Sequence, residues 1–388
     1  MTGTKKILLL ITKSNQGGAQ RYVLQLASLL IARNYDVVVG YGGDGTMALE
    51  LKKRGIRTIS IGALCRDVAI LKDFEVYRQL LAIVKSEQPD IVHLNSAKIG
   101  FIGALACFSA NRFFARTSKV KVVFTAHGWA FNDRKLLRSK ILFVGLQVIT
   151  AWLVHKVIAV SQTTAEDLTK YKVIPKSRLT VIYNGIGKIE LLKQSTARNI
   201  LLEREQRKIW IGTVAELHPN KGIIPAICAL KEYLLEDEER IYLIIGTGEQ
   251  QPKIEKYIEC NHLQNKVILV GEIQYARKYL KAFDVLLIPS LTEACPYVLL
   301  EAGKAELPVV AREVGGIPEL IQSECNGRLF REDSEIVSKV RTTLSEHQIS
   351  ERYAMYWKKR VEEEFNEIVM IEKTTKVYQE CCTGKYHH

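Results

Sequence analysis

The stretch "DVLLIPSLTEACPYVLLEAGKAELPVVARE" (residues 284–313) decides the fold. It opens on a continuous apolar run, "DVLLIPS" (284–290), crosses a short loop and enters "PYVLLEAGKA" (296–305), whose leading proline suits the first turn of a helix. A second apolar run, "LPVVARE" (307–313), closes it. Uninterrupted Val/Ile/Leu runs joined through a helix describe strands buried on both faces, hence a parallel sheet. The alternation extends upstream through "KIWIGTV" (208–214), "IYLIIGTG" (241–248) and "KVILVG" (266–271), with helical stretches between them. The first half repeats it in "KILLLIT" (6–12), "DVVVGYG" (36–42), "IRTISIG" (56–62), "DIVHLN" (90–95), "KVVFTAHG" (121–128) and "KVIAVS" (156–161), separated by amphipathic segments such as 19–34 and 74–88. The expected fold class is therefore α/β, with two Rossmann-like doubly wound domains.

Length agrees: one core rarely grows past roughly 250–300 residues, and this chain has 388. The link between domains is placed near 183–199, where Gly185 and Gly187 interrupt the pattern. With 47% hydrophobic and 25% charged residues the composition is that of a soluble globular protein. Eight cysteines (Cys65, Cys107, Cys228, Cys260, Cys295, Cys325, Cys381 and Cys382) form no C-x-x-C pair, which points to free thiols in a reducing, cytoplasmic setting. The apolar run at the start is too short for a signal peptide and reads as a first strand. Net charge is +13, but it is divided unevenly: residues 1–185 carry +16 and residues 186–388 carry −3. A basic half suggests an anionic partner, such as a phospholipid surface or a phosphorylated acceptor; a plain lysine-rich surface is the alternative. Nucleic acid is disfavoured, because basic residues do not interleave with aromatic ones. The apolar segment 141–160 is long enough to span a bilayer. Gln147, His155 and Lys156 interrupt it, so it reads as a buried helix running into a strand, with an interfacial helix as the intermediate option.

Three loops at strand ends carry chemistry. Gly17 and Gly18, between the first strand and first helix, allow close backbone approach to a phosphate at a helix N-terminus; a tight turn explains them as well. There is no G-x-G-x-x-G or G-x-x-x-x-G-K-[ST] fingerprint, which disfavours nicotinamide and P-loop chemistry. In "VAELHPNKGI" (214–223), Lys221 stands at the carboxyl end of a strand, where ligands bind in such sheets, and suits a diphosphate or simply water. In "TEACPYVLLEAG" (292–303), Glu293 lies in the loop and Glu301 one helical turn past Tyr297. Backbone amides from Tyr297 to Leu299 are expected to point at a ligand as anion and hydroxyl binders. Spacing alone leaves the two glutamates as surface residues. No Asp-x-Asp at a strand end calls for a metal.

The order of motifs changes that balance. The Gly-Gly loop, "TAHGW", "VSQTTAEDL", "VIYNG", "GTVAELHPNKG", "IIGTGEQ", "GEI" and "PSLTEACPYVLLEAGKAELPVVAREVGGIPELI" together resemble glycosyltransferase family 4, over about residues 6–378. The resemblance implies a GT-B fold, with two lobes facing across a cleft. Residues 1–185 would bind acceptor, 186–350 would bind a nucleotide sugar, and helices in 351–388 would cross back to the first domain. It implies retaining transfer of a hexose from a nucleotide-diphosphate donor to a glycan or lipid-linked acceptor in cell-envelope polysaccharide synthesis, with no cofactor and no metal. The enzyme would be cytoplasmic and peripheral at the inner membrane face. Glu293 and His127 would be catalytic. Glu301 would bind ribose and Lys221 the diphosphate, with Gly17 and Gly18 closing over it. Cys295, Pro296, Tyr297 and Val298 would hold sugar hydroxyls through their backbone. Ile273 of "GEI" would lie beside the base, and Gly248 of "IIGTGEQ" also belongs to the donor site. One departure stands out: Glu216 sits where the family usually has Arg, so either another basic residue, Arg21 or Arg312, substitutes or donor binding is weakened. A sugar-nucleotide epimerase and a degenerate, non-catalytic sugar-nucleotide binder remain as alternatives.

Overall fold

A computed structural model describes residues 4–65, 69–113, 119–128, 137–170, 174–203 and 207–383, apart from the side chains of Ile70 and of residues 137–144. Trp129 of "TAHGW" and the tail beyond Thr383 lie outside the described residues. The chain divides into two compact units, residues 1–183 with 368–388, and residues 184–367.

The first unit runs β1 (Lys6–Ile11), α1 (Gly18–Ile31), β2 (Asp36–Tyr41), α2 (Thr46–Lys53), β3 (Arg57–Ser60), α3 (Ile70–Glu87), β4 (Ile91–Leu94), α4 (Ala97–Phe113), β5 (Lys121–Ala126), α5 (Leu137–Leu153), β6 (Lys156–Ala159), α6 (Gln162–Lys170) and β7 (Leu179–Val181). Its seven strands are ordered β3-β2-β1-β4-β5-β6-β7, all parallel. The apolar runs are strands because both faces are covered: Leu8, Leu10, Val92, Leu94, Val122 and Phe124 join one core with residues of α3 and α4. Segment 141–160 is the last part of α5 followed by β6, and no helix among the described residues is long and apolar enough to cross a membrane.

The second unit runs α7 (Gln194–Leu202), β8 (Ile209–Val214), α8 (Ile223–Leu235), β9 (Arg240–Ile245), α9 (Gln251–Cys260), β10 (Val267–Gly271), β11 (Val285–Ile288), α10 (Tyr297–Ala305), β12 (Val309–Arg312), α11 (Ile317–Leu320), β13 (Arg328–Phe330), α12 (Ile336–Ser345) and α13 (His347–Glu363). Its six strands are ordered β10-β9-β8-β11-β12-β13. The last helix, α14 (Glu367–Thr383), passes into the first unit.

The return to the first unit thus begins at Ile368 rather than 351. The reason is α13, which packs on α10. Trp357 is fully buried there, and its indole N–H donates to the Leu299 carbonyl at 2.9 Å. Gly303 of α10 leaves the room, since a Cβ would press on Trp357 and Val361. Beyond α13 the chain bridges Ile186 to Asn366, and Ile186 N–H donates to Phe365 O at 2.8 Å. α14 is then held by a Tyr378–His93 hydrogen bond and an ion pair from Lys156 to Glu380 at 3.2 Å.

Candidate donor site at the switch point of the second sheet

In a doubly wound sheet, ligands bind outside the carboxyl ends of the strands where the order reverses. In the second unit that point lies between β8 and β11. The two loops that leave these strands carry Lys221 and Glu293. After β8, one 3-10 turn (Pro219–Lys221) is capped by His218, whose Nδ1 accepts from the Asn220 N–H at 3.3 Å. Gly222 ends the turn at φ 65°, where any side chain would collide with the Pro289 carbonyl. The Leu291 N–H donates to Asn220 O at 2.7 Å. The loops are therefore zipped together, and Lys221 Nζ reaches Glu293 Oε1 at 2.5 Å. The carboxylate is largely enclosed, and the lysine is somewhat more open.

The Glu293 loop is pinned from the other side by "VGG". Gly315, at φ 53°, faces the Glu293 carbonyl so closely that a Cβ would clash, and Gly316 N–H donates to that carbonyl at 3.0 Å. This is the physical link between the glutamate loop and the glycine pair twenty-two residues on. Pro296 occupies the N-cap of α10 rather than its first turn, and the Leu299 N–H is taken by Pro296 O at 3.2 Å, so the helix presents its N-terminal dipole through Tyr297 and Val298. Glu301 is buried one turn along. Burial pushes the Cys295 thiol up to about 12, so it is an inert packing group.

Gly248 lies against the backbone of Leu217 with no space for a Cβ. Its smallness serves the packing of the β9 loop on the β8 loop that carries Lys221. Ile273 is half-buried beyond β10, the edge strand, two strands from β8. Glu216 is exposed. Arg312 does not replace the missing arginine. It is buried, donates to Pro289 O (3.3 Å) and Arg331 O (2.9 Å), pairs with Asp333 and lies over the Phe330 ring.

Sequence reasoning missed Asn184, which precedes Gly185 in "VIYNG". It is buried, donates from Nδ2 to the Cys295 carbonyl at 2.8 Å, and its Oδ1 has no hydrogen-bond partner among the described residues. Nothing in its local sequence announces that it holds the Glu293 loop.

In the first unit, Gly17 and Gly18 are exposed at the start of α1. Gly17 is extended and a Cβ there would meet only the flexible Gln20 side chain, so the backbone does not itself demand glycine. His127 follows β5. Its ring meets the edge of Tyr22 (centroids 4.8 Å apart), and its Nε2 is sealed from solvent with no partner among the described residues. Burial lowers its imidazole to about 3, which leaves it neutral. Among the described residues no group of three or more His, Cys, Asp or Glu is placed to hold a metal ion.

Comparison with known proteins bears on the family and the fold. The model of Glycosyltransferase Family 4 matches residues 16–187, and that of Glycosyl transferases group 1 matches residues 208–346. The chain is 26% identical over 379 residues to the Escherichia coli UDP-Gal:alpha-D-GlcNAc-diphosphoundecaprenol alpha-1,3-galactosyltransferase, covering 95% of each. It is 22% identical over 382 residues to the Staphylococcus aureus capsular polysaccharide biosynthesis glycosyltransferase CapM, covering 96% of this chain and 97% of that one. The crystal structure of Anabaena HepE in complex with UDP-glucose superposes with a TM-score of 0.81 at 20% identity, covering 97% of this chain and 99% of that one, a likeness of fold. Fold and relatives define the class as a glycosyltransferase of GT-B type. Within that class, the chain belongs to glycosyltransferase family 4.

Proposed function

We propose that the chain transfers a hexose, with retention, from a uridine-diphosphate sugar to a lipid-linked glycan acceptor. The observation that carries the proposal is the Lys221–Glu293 contact at the switch point, beside the N-terminus of α10. In this reading the donor diphosphate draws Lys221 away from Glu293. The freed carboxylate then meets the sugar, while Glu301 takes the ribose and the backbone of Cys295 to Val298 takes sugar hydroxyls. As the bond from the anomeric carbon to the diphosphate oxygen breaks, negative charge grows on the leaving group. Lys221 and the α10 dipole face that charge, and one such fixed donor is worth about 2.7–4 kcal/mol. The acceptor hydroxyl attacks the same face of the sugar, forms the new carbon–oxygen bond, and passes its proton to the departing diphosphate. His127, neutral, acts as a hydrogen-bond partner to an uncharged group rather than as a charged acid. The step needs no metal, so added EDTA leaves the rate unchanged.

The named substrates of the E. coli relative and the UDP-glucose in the HepE complex support the donor and acceptor classes. Glu216 in place of arginine, with Arg312 engaged elsewhere, favours a second reading: a degenerate protein that binds the donor weakly and does not turn it over. Release of radiolabelled sugar from UDP-glucose and UDP-galactose, with and without a diphosphoundecaprenol-linked acceptor, separates the readings. A transferase moves label to lipid and an epimerase frees it without lipid. A degenerate binder does neither. Equal rates for the wild type and Glu293→Ala would remove Glu293 from the chemistry.

We also propose that the first unit rests on an anionic membrane surface, peripherally and at the cytoplasmic face. The support is that α3, α4 and α5 expose Phe74, Leu105, Phe108, Ile149 and Trp152, and that α3 and α4 also carry the exposed cations Lys72, Arg78, Lys85 and Arg112.

A further inference from the structure

The two faces of the first sheet differ in kind. Leu8, Leu10, Val92, Leu94, Val122 and Phe124 fill the apolar side under α3 and α4. Side chains alternate along a strand, and His93 pairs in register with Val123. His93, Thr125 and, at the strand end, His127 therefore share the other face, which α1 and α14 cover with Tyr22 and Tyr378.

On that face a chain of hydrogen-bonding groups is buried. The Tyr378 hydroxyl lies 2.5 Å from His93 Nδ1, and His93 Nε2 lies 2.6 Å from Thr125 Oγ1. The hydroxyls of Thr125 and Thr374 both face the Tyr22 hydroxyl, though neither meets it with full hydrogen-bond geometry. Thr374 Oγ1 donates to the Met370 carbonyl at 2.8 Å. The Tyr22 hydroxyl completes no hydrogen bond among the described residues, so the continuous run is Tyr378–His93–Thr125, in which the neutral His93 ring donates from one nitrogen and accepts at the other. α14 supplies Tyr378 and, four residues earlier on the same face, Thr374. His93, Thr125, Tyr22, Thr374 and Tyr378 are all essentially unexposed. Apolar residues would fill the same space without dehydrating five polar groups. What the two hydrogen bonds of His93 add is rigidity and a unique arrangement. The Tyr22 ring makes edge contacts with both histidine rings, at centroid distances of 6.3 Å to His93 and 4.8 Å to His127.

We infer that Tyr378 and His93 are positioning residues, which act through the Tyr22 ring to hold the His127 ring in one orientation for its contact with substrate. The inference rests on the substrate contact proposed for His127. It makes the Tyr378–His93 contact, rather than the docking of α14 in general, a determinant of the catalytic rate.

The test uses Tyr378→Phe in the full chain, which removes one hydroxyl and keeps the ring. Nitrogen-15 imidazole spectra of the ligand-free protein are expected to show His93 neutral, with one ring nitrogen protonated and the other an acceptor, and to show both the His93 and the His127 signals moved by Tyr378→Phe. With UDP-glucose as donor, kcat falls about 10-fold or more, within the ~100-fold that a misplaced group costs, while KM for UDP-glucose stays within about twofold. Glu380→Gln loosens the other tie of α14 without touching the network, and it leaves kcat and both signals in place. A His127 signal unmoved by Tyr378→Phe overturns the inference even if no donor is turned over. An equal loss of kcat in Glu380→Gln also overturns it, since helix docking in general would then be the cause. His127→Ala at the wild-type rate, with the signal still moved in Tyr378→Phe, would instead sink the substrate contact of His127 and leave the positioning chain standing.

Discussion

Lys221 and Glu293 stand 72 residues apart in sequence and touch in space. Their contact predicts divided consequences. Lys221→Met removes the cation proposed to face the diphosphate, so UDP binding measured by calorimetry is expected to weaken and kcat/KM to fall by roughly 10²-fold. Glu293→Gln keeps a hydrogen-bonding side chain beside Lys221, so UDP binds as before while sugar transfer is lost. Equal damage to UDP affinity in both variants would refute the division of roles. The buried histidines give a pH signature. Burial holds His93 at about 3, with His127 nearby adding to the effect. Unfolded, it titrates near its ordinary 6.5. The folded form is the more acidic one, so its stability is complete above about pH 6.5 and declines as pH falls from there towards 3. In that window each buried neutral histidine contributes a slope of up to about 1.4 kcal/mol per pH unit. Urea unfolding at pH 7 and pH 5 measures the slope, and His93→Gln flattens it.

Elements differ in how openly the sequence declares them. The inner strands were legible because runs such as "KILLLIT" and "IYLIIGTG" are buried on both faces and therefore uninterrupted, and the structure places β1 inside the first and starts β9 one residue ahead of the second. The edge strand β7 and the short β13 have three residues each, too few to show a period. The 293–301 segment was legible as a motif, yet its supports were not. Asn184, Gly315 and the 218–222 turn reach it from distant parts of the chain, through backbone contacts that no local pattern encodes. His93 was read only as part of a strand, since one histidine in "DIVHLN" carries no sign of the hydroxyls that surround it. Among the helices, α13 is the support most easily tested. Trp357→Ala opens a void behind α10 and frees the Leu299 carbonyl. A loss of about 3–5 kcal/mol in unfolding free energy is expected, with weakened UDP binding because α10 carries the proposed donor contacts. An unchanged denaturation midpoint would show that α13 is not a structural backing for the site.

For the molecule as a whole, charge is the feature that separates the two halves. The positive excess sits in residues 1–185, and exposed aromatic and aliphatic side chains lie on α3, α4 and α5 of the same unit. Vesicles containing phosphatidylglycerol are expected to sediment the protein, and phosphatidylcholine vesicles to leave it in solution. Raising salt from about 0.1 M to 1 M shortens the screening length from ~10 Å to ~3 Å and weakens the attraction. Trp152→Ser with Phe108→Ser lowers vesicle binding at low salt, while UDP affinity is unchanged. Equal binding to both kinds of vesicle would leave only the apolar contribution.

Residues 368–383 complete the first unit, although the ribosome makes them after the whole second unit. At about 5–20 residues per second, the leading half waits some 10–40 s of translation for its final helix, and through that interval the imidazole of His93 has no tyrosine hydroxyl to meet. The second unit, continuous from 184 to 367, carries no such delay. Nascent chains halted just short of Ile368 would therefore show a protease-resistant rear portion and a front portion still open to cleavage, so that the part begun first is the part finished last.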